Sequence, residues 1–449
     1  MPRRGHGERT VMDRDDAVAL LRGLVEIRSV SGQEAEAADW LVERARAAGY
    51  DRALVDGAGN AVAELGSETA SRVVVLLGHI DTVAGEVPVH VEQRDGRAVL
   101  YGRGTVDAKG PLAAFVAAGA RLGAEWARAA DLRLVVVGAV EEEAASSKGA
   151  RFVAARFDGR REPVPAACVI GEPSRWDRVT IGYKGRLLVD LEARRAMTHS
   201  AGPEATAATA AVGLWSRVES WCAAFNQGRE KAFEQLLPSL RSIQTSTDGL
   251  EERATAGIGL RLPPDFDPAP LQAAIQEWAS GWVGVGGATR FLNVRSKVSD
   301  ESGRRAEEVA CAARVPQASR RFPAPVPAPG AETESLLAGP AGAIRLVYRA
   351  HEPAWRGDAR NALVRSFLAA IRAQADPAAR PAFVVKTGTS DLNVVGPTWR
   401  CPILAYGPGD SRLDHTPDEH LALDEYWRAV LVLERALDSL SESLGLVRS

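Results

Sequence analysis

Lysine is nearly missing from this chain of 449 residues: only six, at positions 109, 148, 184, 231, 297 and 386, stand among its 55 basic side chains, the other 49 being arginine. A basic excess is missing too. With 58 acidic side chains the formal net charge is −3, which argues against a general nucleic-acid binder, whose electrostatic footprint is strongly positive. The four cysteines, Cys168, Cys222, Cys311 and Cys401, lie far apart with no C-x-x-C pair. That spacing fits neither a zinc ribbon nor a disulfide framework, and instead fits isolated thiols in a reducing compartment. Long apolar runs are absent as well. Runs such as VVVLL at 73–77 fall far short of the roughly 18 residues that span a bilayer, and MPRRGHGERTVMDRDDAVALL has no apolar core of the signal-peptide kind. The expectation is a soluble, cytoplasmic protein with neither a membrane nor a nucleic acid as partner.

What is present is ample apolar matter, 46% of residues, enough for about two or three domains at roughly 100–200 residues each. Apolar positions recur at helical spacing over 13–27 and 33–48. Short continuous apolar runs follow at 73–77, 98–101, 132–140 and 167–171, with an Ala-rich helical stretch over 109–126 between them. Strands of that kind alternating with helices indicate an α/β sheet covered on both faces. Near residue 180 the character changes: 184–193 alternates, 203–225 is helical, 254–262 is strand-like and 267–279 is helical, the order of a small inserted α+β domain. Residues 299–340, with the Pro/Ala-rich stretch FPAPVPAPGAETE, read as a long loop or insertion. From 343 the α/β pattern resumes, with strands at 343–349, 382–385 and 402–405 and helices over 358–373 and 422–441. The divisions expected are 1–180, 181–345 and 346–449.

Five segments carry chemistry, and each follows an expected strand. VVVLLGHIDT puts His79 at a strand end, where open α/β sheets present ligand sites, with Asp81 two residues on, placed to orient the ring. GRGTVDAKGP sets Asp107 in a Gly-rich turn before a helix, a position that also suits an ordinary capping Asp. Glu141, Glu142 and Glu143 follow LRLVVVGAV; three adjacent carboxylates repel one another unless solvent or a cation compensates. Glu172 follows ACVIG, and His415 follows the run at 402–405. Two histidines and three carboxylates suit a pair of borderline-hard divalent ions, zinc above all. Such a pair lowers the pKa of a shared water, and one further, unligated carboxylate can act as general base.

The order H-x-D, G-R-G-x-x-D-x-K-G, E-E-E, G-E-P and late H-x-x-D-E resembles the di-zinc M20 metallopeptidases, with their acetylornithine deacetylase and succinyl-diaminopimelate desuccinylase relatives. The resemblance implies a zinc-peptidase-like catalytic domain, a central mixed sheet flanked by helices, and an inserted α+β lid or dimerisation domain. It implies two zinc ions per chain, replaceable by cobalt. His79 and Glu172 would complete one metal site and Glu143 and His415 the other, with Asp107 bridging, Glu142 as general base and the Asp107–Ala108 peptide cis. Because the family usually reads Asp-Glu-Glu where this chain has Glu141-Glu142-Glu143, the register within the triplet stays open. THSAGPE resembles the family's His-Ser-x-x-Pro signature, so His199 would stabilise the oxyanion, reaching a partner subunit's site in a homodimer. Arg261 is the candidate for gripping a substrate carboxylate. KTGTSDLN resembles the loop lining the pocket, which brings in Lys386, Gly388, Thr389, Ser390, Asp391 and Asn393.

Several spellings, among them GRGTVDAKGPL, EEEAASSKGA and YGPGDSRLDHTP, resemble one branch: hydrolases that release lysine or ornithine from an acidic amino-group carrier protein. N-Acetylornithine or N-succinyl-diaminopimelate deacylation, dipeptide hydrolysis and a non-catalytic binding role are the alternatives. Ser390 has no G-x-S-x-G setting, which weighs against a serine hydrolase.

Overall fold

The structure is a computed structural model that describes residues 11–199, 202, 204–284, 331–374 and 381–446, together with the backbone of 294–299 and 305–309. The chain divides into two compact units. The first comprises 1–182, 356–385 and 390–449; the second comprises 183–355 and 386–389.

The first unit is built on a mixed sheet. Its strands lie in the order Arg52–Val55, Ala61–Leu65, Leu132–Ala139, Arg72–His79, Ala167–Gly171, Ile403–Ala405, Arg178–Tyr183 and Trp355–Arg356, with Ala382–Lys386 also pairing onto Arg178–Tyr183. The central four run parallel. Every residue of Leu132–Ala139 and Ala167–Gly171 is buried, as expected of strands with helices on both faces. Lys109–Ala129, Ala362–Arg372 and Leu423–Leu446 supply much of that cover, sharing one core with Arg14–Glu26 and Ala35–Ala47. The N-termini of Arg14–Glu26 and Ala362–Arg372 are capped by Asp13 and Asn361, whose side chains accept the N–H groups of Asp16 and Val364.

Register fixes where the chemistry lies. His79 pairs with Ala139, and Gly78 pairs with both Gly138 and Gly171, so three parallel strands end at one level. A Cβ on Gly171 would come within 2.9 Å of the Gly78 Cα; only glycine allows the two strand ends to approach this closely.

The second unit is an antiparallel sheet, ordered Leu237–Thr247, Glu251–Leu262, Gly185–Ala196, Gly342–Glu352, Glu332–Gly339, Val294–Ser299 and Arg305–Val309. The inward side chains of Gly185–Ala196 alternate as Leu187, Val189, Leu191 and Ala193. They meet helices Ala207–Phe225 and Ala269–Trp282 through Ala210, Leu214, Leu271 and Ile275, each large apolar side chain contributing about 1.5–3 kcal/mol of burial.

Three expectations are corrected here. The strand expected at 343–349 in a resumed α/β pattern runs over Gly342–Glu352 and pairs with Gly185–Ala196 in the second unit, so the change of unit falls at 355/356 rather than at 345/346. Residues 299–340 are not one long loop: strands occupy Arg305–Val309 and Glu332–Gly339, while 310–330 lie outside the described residues. The buried positions of the latter strand include Thr333 and Ser335, facing a polar helix flank where the Gln276 side-chain amide donates to Ser335 Oγ at 3.4 Å. A polar seam leaves no apolar alternation to read. Finally, Leu237–Thr247 was not expected. It is an edge strand exposed along most of its length, and has no buried face to impose a pattern.

Candidate metal centre

His79, Glu142, Glu143 and Glu172 lie at or just beyond the aligned strand ends. Asp107 comes from the turn before Lys109–Ala129, where the Asp107–Ala108 peptide is cis, and His415 from the loop after Ile403–Ala405. His79 Nε2 lies 3.2 Å from Asp107 Oδ1, and His415 Nε2 lies 3.0 Å from Asp107 Oδ2 and 2.8 Å from Glu143 Oε1. Asp107 therefore turns one carboxylate oxygen toward each histidine. Ligand atoms of His79, Asp107 and Glu172, and separately of Asp107, Glu143 and His415, gather within 4.8 Å of one another. Imidazole nitrogens and carboxylate oxygens in two clusters sharing one carboxylate fit two divalent ions.

Asp81 is fully buried and orders this group from behind. Its Oδ1 accepts the Glu142 N–H and its Oδ2 the Glu143 N–H, both at 3.0 Å, while the Ser31 hydroxyl donates to Oδ2 at 2.7 Å. His79 Nδ1 lies 3.0 Å from the Asp81 carbonyl oxygen. One residue thus holds the glutamate turn through its carboxylate and the strand-end imidazole through its main-chain carbonyl. Burial raises the Asp81 carboxyl, but the His79 imidazole, Ser31 and the Glu142 N–H outweigh it and hold it low.

Charge is concentrated here. Burial pushes the Glu142 carboxyl well up, the nearby His79 opposes this, and Asp391, Glu172 and Glu143 push it further. Glu143 is also raised, by burial first and against the hydrogen bond from His415. Burial would lower the His79 imidazole, but Asp107 and Asp81 lift it well above its ordinary range. Asp107 and Glu143 lift His415 to about 10. Repulsion among these carboxylates is what bound cations would relieve.

The other expected site residues divide between the units. In the first, Ser390, Asp391 and Asn393 are buried at the start of helix Leu392–Trp399, the Ser390 N–H donating to Asn393 Oδ1 at 3.0 Å. In the second, Arg261 Nη1 donates to Thr389 Oγ1 at 2.6 Å, and Thr389 donates on to the Lys184 carbonyl at 3.1 Å. Gly388 shares that short segment, and Lys386 Nζ lies 5.8 Å from the Tyr183 ring centroid. His199 is exposed beyond the end of Gly185–Ala196.

Sequence reasoning missed Ser31, which donates to Asp81, and the buried Glu419, whose carboxylate accepts the Asp107 N–H at 3.2 Å. The amine of Lys109 donates to the Ile27 carbonyl, and that of Lys184 to carbonyls of Ala232, Phe233 and Gln235. These two buried lysines bind main chain.

A paired-ion donor set at the carboxyl ends of parallel strands defines a class of dinuclear hydrolase scaffold. Residues 75–439 match the model of peptidase family M20/M25/M40, and the chain belongs to that family. A [LysW]-lysine hydrolase of Deinococcus radiodurans is 40% identical over 435 residues, covering 95% of this chain and 98% of its own. The dipeptidase Dug1p of Saccharomyces cerevisiae shares the fold with a TM-score of 0.66 at 13% identity, over 96% of each chain. YXEP of Bacillus subtilis, described as a dinuclear metal binding peptidase, does so with a TM-score of 0.55 at 12% identity, over 96% of this chain and 98% of its own. Among the described residues no helix is long and apolar enough to cross a membrane.

Proposed function

We propose that this chain is a metal-dependent amide hydrolase that releases lysine, or ornithine, from an amino-group carrier protein. The bond cut joins the amino acid's α-nitrogen to the side-chain carboxyl of the carrier's C-terminal glutamate. The observation that carries the reading is the pair of donor clusters sharing Asp107, supported by the 40% identity to a [LysW]-lysine hydrolase across nearly the whole chain.

Two ions, zinc in this reading, held by His79, Asp107 and Glu172 and by Asp107, Glu143 and His415, would supply a water acidic enough to attack at neutral pH. Glu142 takes the proton of that attacking water and delivers it to the departing α-amine. Its burial suits the task, since burial raises the carboxyl above its ordinary range and so makes it a better proton acceptor than an exposed glutamate. Asp81 keeps Glu142 and His79 in register. His199 is assigned to the oxyanion and Arg261 to the substrate's free carboxylate. Lys386, Gly388, Thr389, Ser390, Asp391 and Asn393 are assigned to the pocket wall, and the second unit to a lid and homodimer contact. A water molecule is consumed, and a carboxylate and an amine are released.

The test is a panel of carrier-linked lysine and ornithine, N-acetylornithine, N-succinyl-diaminopimelate and simple dipeptides, each assayed with zinc or cobalt supplied. Turnover confined to the carrier-linked amides, lost on chelation and restored by metal, is expected; turnover of the dipeptides alone would overturn the reading.

A further inference from the structure

We propose that Glu419, with Arg103 as its counter-charge, is a positioning residue for the metal pair; this rests on the metal-centre reading above. Glu419 is fully buried and belongs to neither donor cluster. Its Oε1 instead accepts three donors from one loop: the N–H groups of Gly104 at 2.9 Å, Val106 at 3.0 Å and Asp107 at 3.2 Å. Its Oε2 accepts Arg103 Nη1 at 2.7 Å. A single carboxylate oxygen therefore gathers the turn whose last residue is the shared ligand Asp107.

Arg103 extends the clamp. The same Nη1 donates to the Thr416 carbonyl at 3.2 Å, and Nε donates to the Gly85 carbonyl at 2.9 Å. Thr416 directly follows His415. The pair thus fixes the Asp107 turn and the His415 loop to one another, though they lie about 310 residues apart in the chain. His79 and Glu172 are placed by strand ends on which the clamp makes no contact. The asymmetry gives a specific expectation: loss of the clamp weakens the ion held by Asp107, Glu143 and His415 more than the ion held by His79, Asp107 and Glu172. Partners of this kind, which orient ligands without binding the metal, typically set affinity by roughly 10–100-fold.

The experiment is calorimetric titration of Zn²⁺ into metal-stripped full-length protein, for wild type, Glu419→Gln, Arg103→Lys and Glu64→Gln, with thermal unfolding of each stripped protein alongside. Glu419→Gln sets an amide against Arg103, while Arg103→Lys keeps the charge and loses the fork; the latter is the milder variant should the former fail to fold. Glu64 is an equally buried carboxylate, paired with Arg133 and Arg156 and remote from this loop, and reports on stability alone. The result expected is two sites in wild type and Glu64→Gln, with one of the two weakened at least tenfold in Glu419→Gln and Arg103→Lys. Wild-type affinities at both sites in folded Glu419→Gln or Arg103→Lys would overturn the proposal. Failure of wild type to take up two ions would overturn the metal-centre reading itself, and two tight sites without turnover of carrier-linked amides would count against the substrate alone.

Discussion

Replacing Asp81 by Asn tests how the glutamate turn is held. Each Asp81 oxygen accepts one main-chain N–H, from Glu142 at Oδ1 and from Glu143 at Oδ2. An asparagine has one acceptor oxygen, so whichever way its amide turns, its NH₂ faces one of these N–H groups. With the NH₂ at Oδ2 the Ser31 hydroxyl can rotate to accept from it, but the Glu143 N–H is orphaned; flipped, the amide orphans the Glu142 N–H beside His79. A buried donor left unpaired costs about 1–3 kcal/mol, and neutralising the acceptor of the remaining bonds costs about 1 kcal/mol more for each. The metal-free protein should therefore lose about 2–5 kcal/mol in urea unfolding, a large part of the usual 5–15 kcal/mol total, and zinc affinity should fall roughly 10–100-fold. The sign with pH follows from the lowered Asp81 carboxyl. Its contribution is complete above the ordinary carboxylate pKa of about 3.9 and is lost as pH falls through the lower folded value. The gap between wild type and variant should thus be full at pH 7 and close only in strong acid. A variant within about 0.5 kcal/mol of wild type at pH 7, with undiminished zinc affinity, would refute the reasoning.

Glu142→Gln should abolish turnover while zinc content by atomic absorption stays near two ions per chain; retained turnover removes Glu142 as the base. Gly110→Ala would set a methyl carbon 2.2 Å from the Thr105 carbonyl oxygen, so the 105–110 turn must open, at a cost of about 1–3 kcal/mol and with weakened zinc binding in the same titration. Burial lowers the Lys109 amine from 10.5 to about 8, against the pull of Glu419 and Asp81. The unfolded chain then holds more protons between those values, so stability should rise with pH from 8 to 10.5. Urea midpoints across that range should show a flatter rise in Lys109→Met.

The sheet and the donor set were legible because they rest on patterns that one strand or one loop carries by itself. Continuous apolar runs marked Arg72–His79, Leu132–Ala139 and Ala167–Gly171, and the chemistry-bearing residues stand directly after them. Parts that depend on two distant segments were not legible. Glu419 lies within the H-x-x-D-E spelling, yet its task exists only where it meets Gly104, Val106 and Asp107. Thr333 and Ser335 are buried against a glutamine-bearing helix flank, so polarity there imitates a loop. Gly342–Glu352 has the composition of a strand, but nothing in it says which of two sheets it joins.

The strand Ile403–Ala405 lies between Ala167–Gly171 and Arg178–Tyr183, two strands only six residues apart in the chain. During synthesis those two are made early and must wait, side by side but unjoined, while more than two hundred further residues leave the ribosome. The second unit lies wholly within that interval apart from its ends, and its sheet can be complete before the first unit's sheet can close. His415 arrives later still. His79, Asp107 and Glu172 are all made before the strand Ile403–Ala405. The cluster of Asp107, Glu143 and His415 can assemble only after translation has passed the His415 loop, so the complete pair of sites is a late product of synthesis.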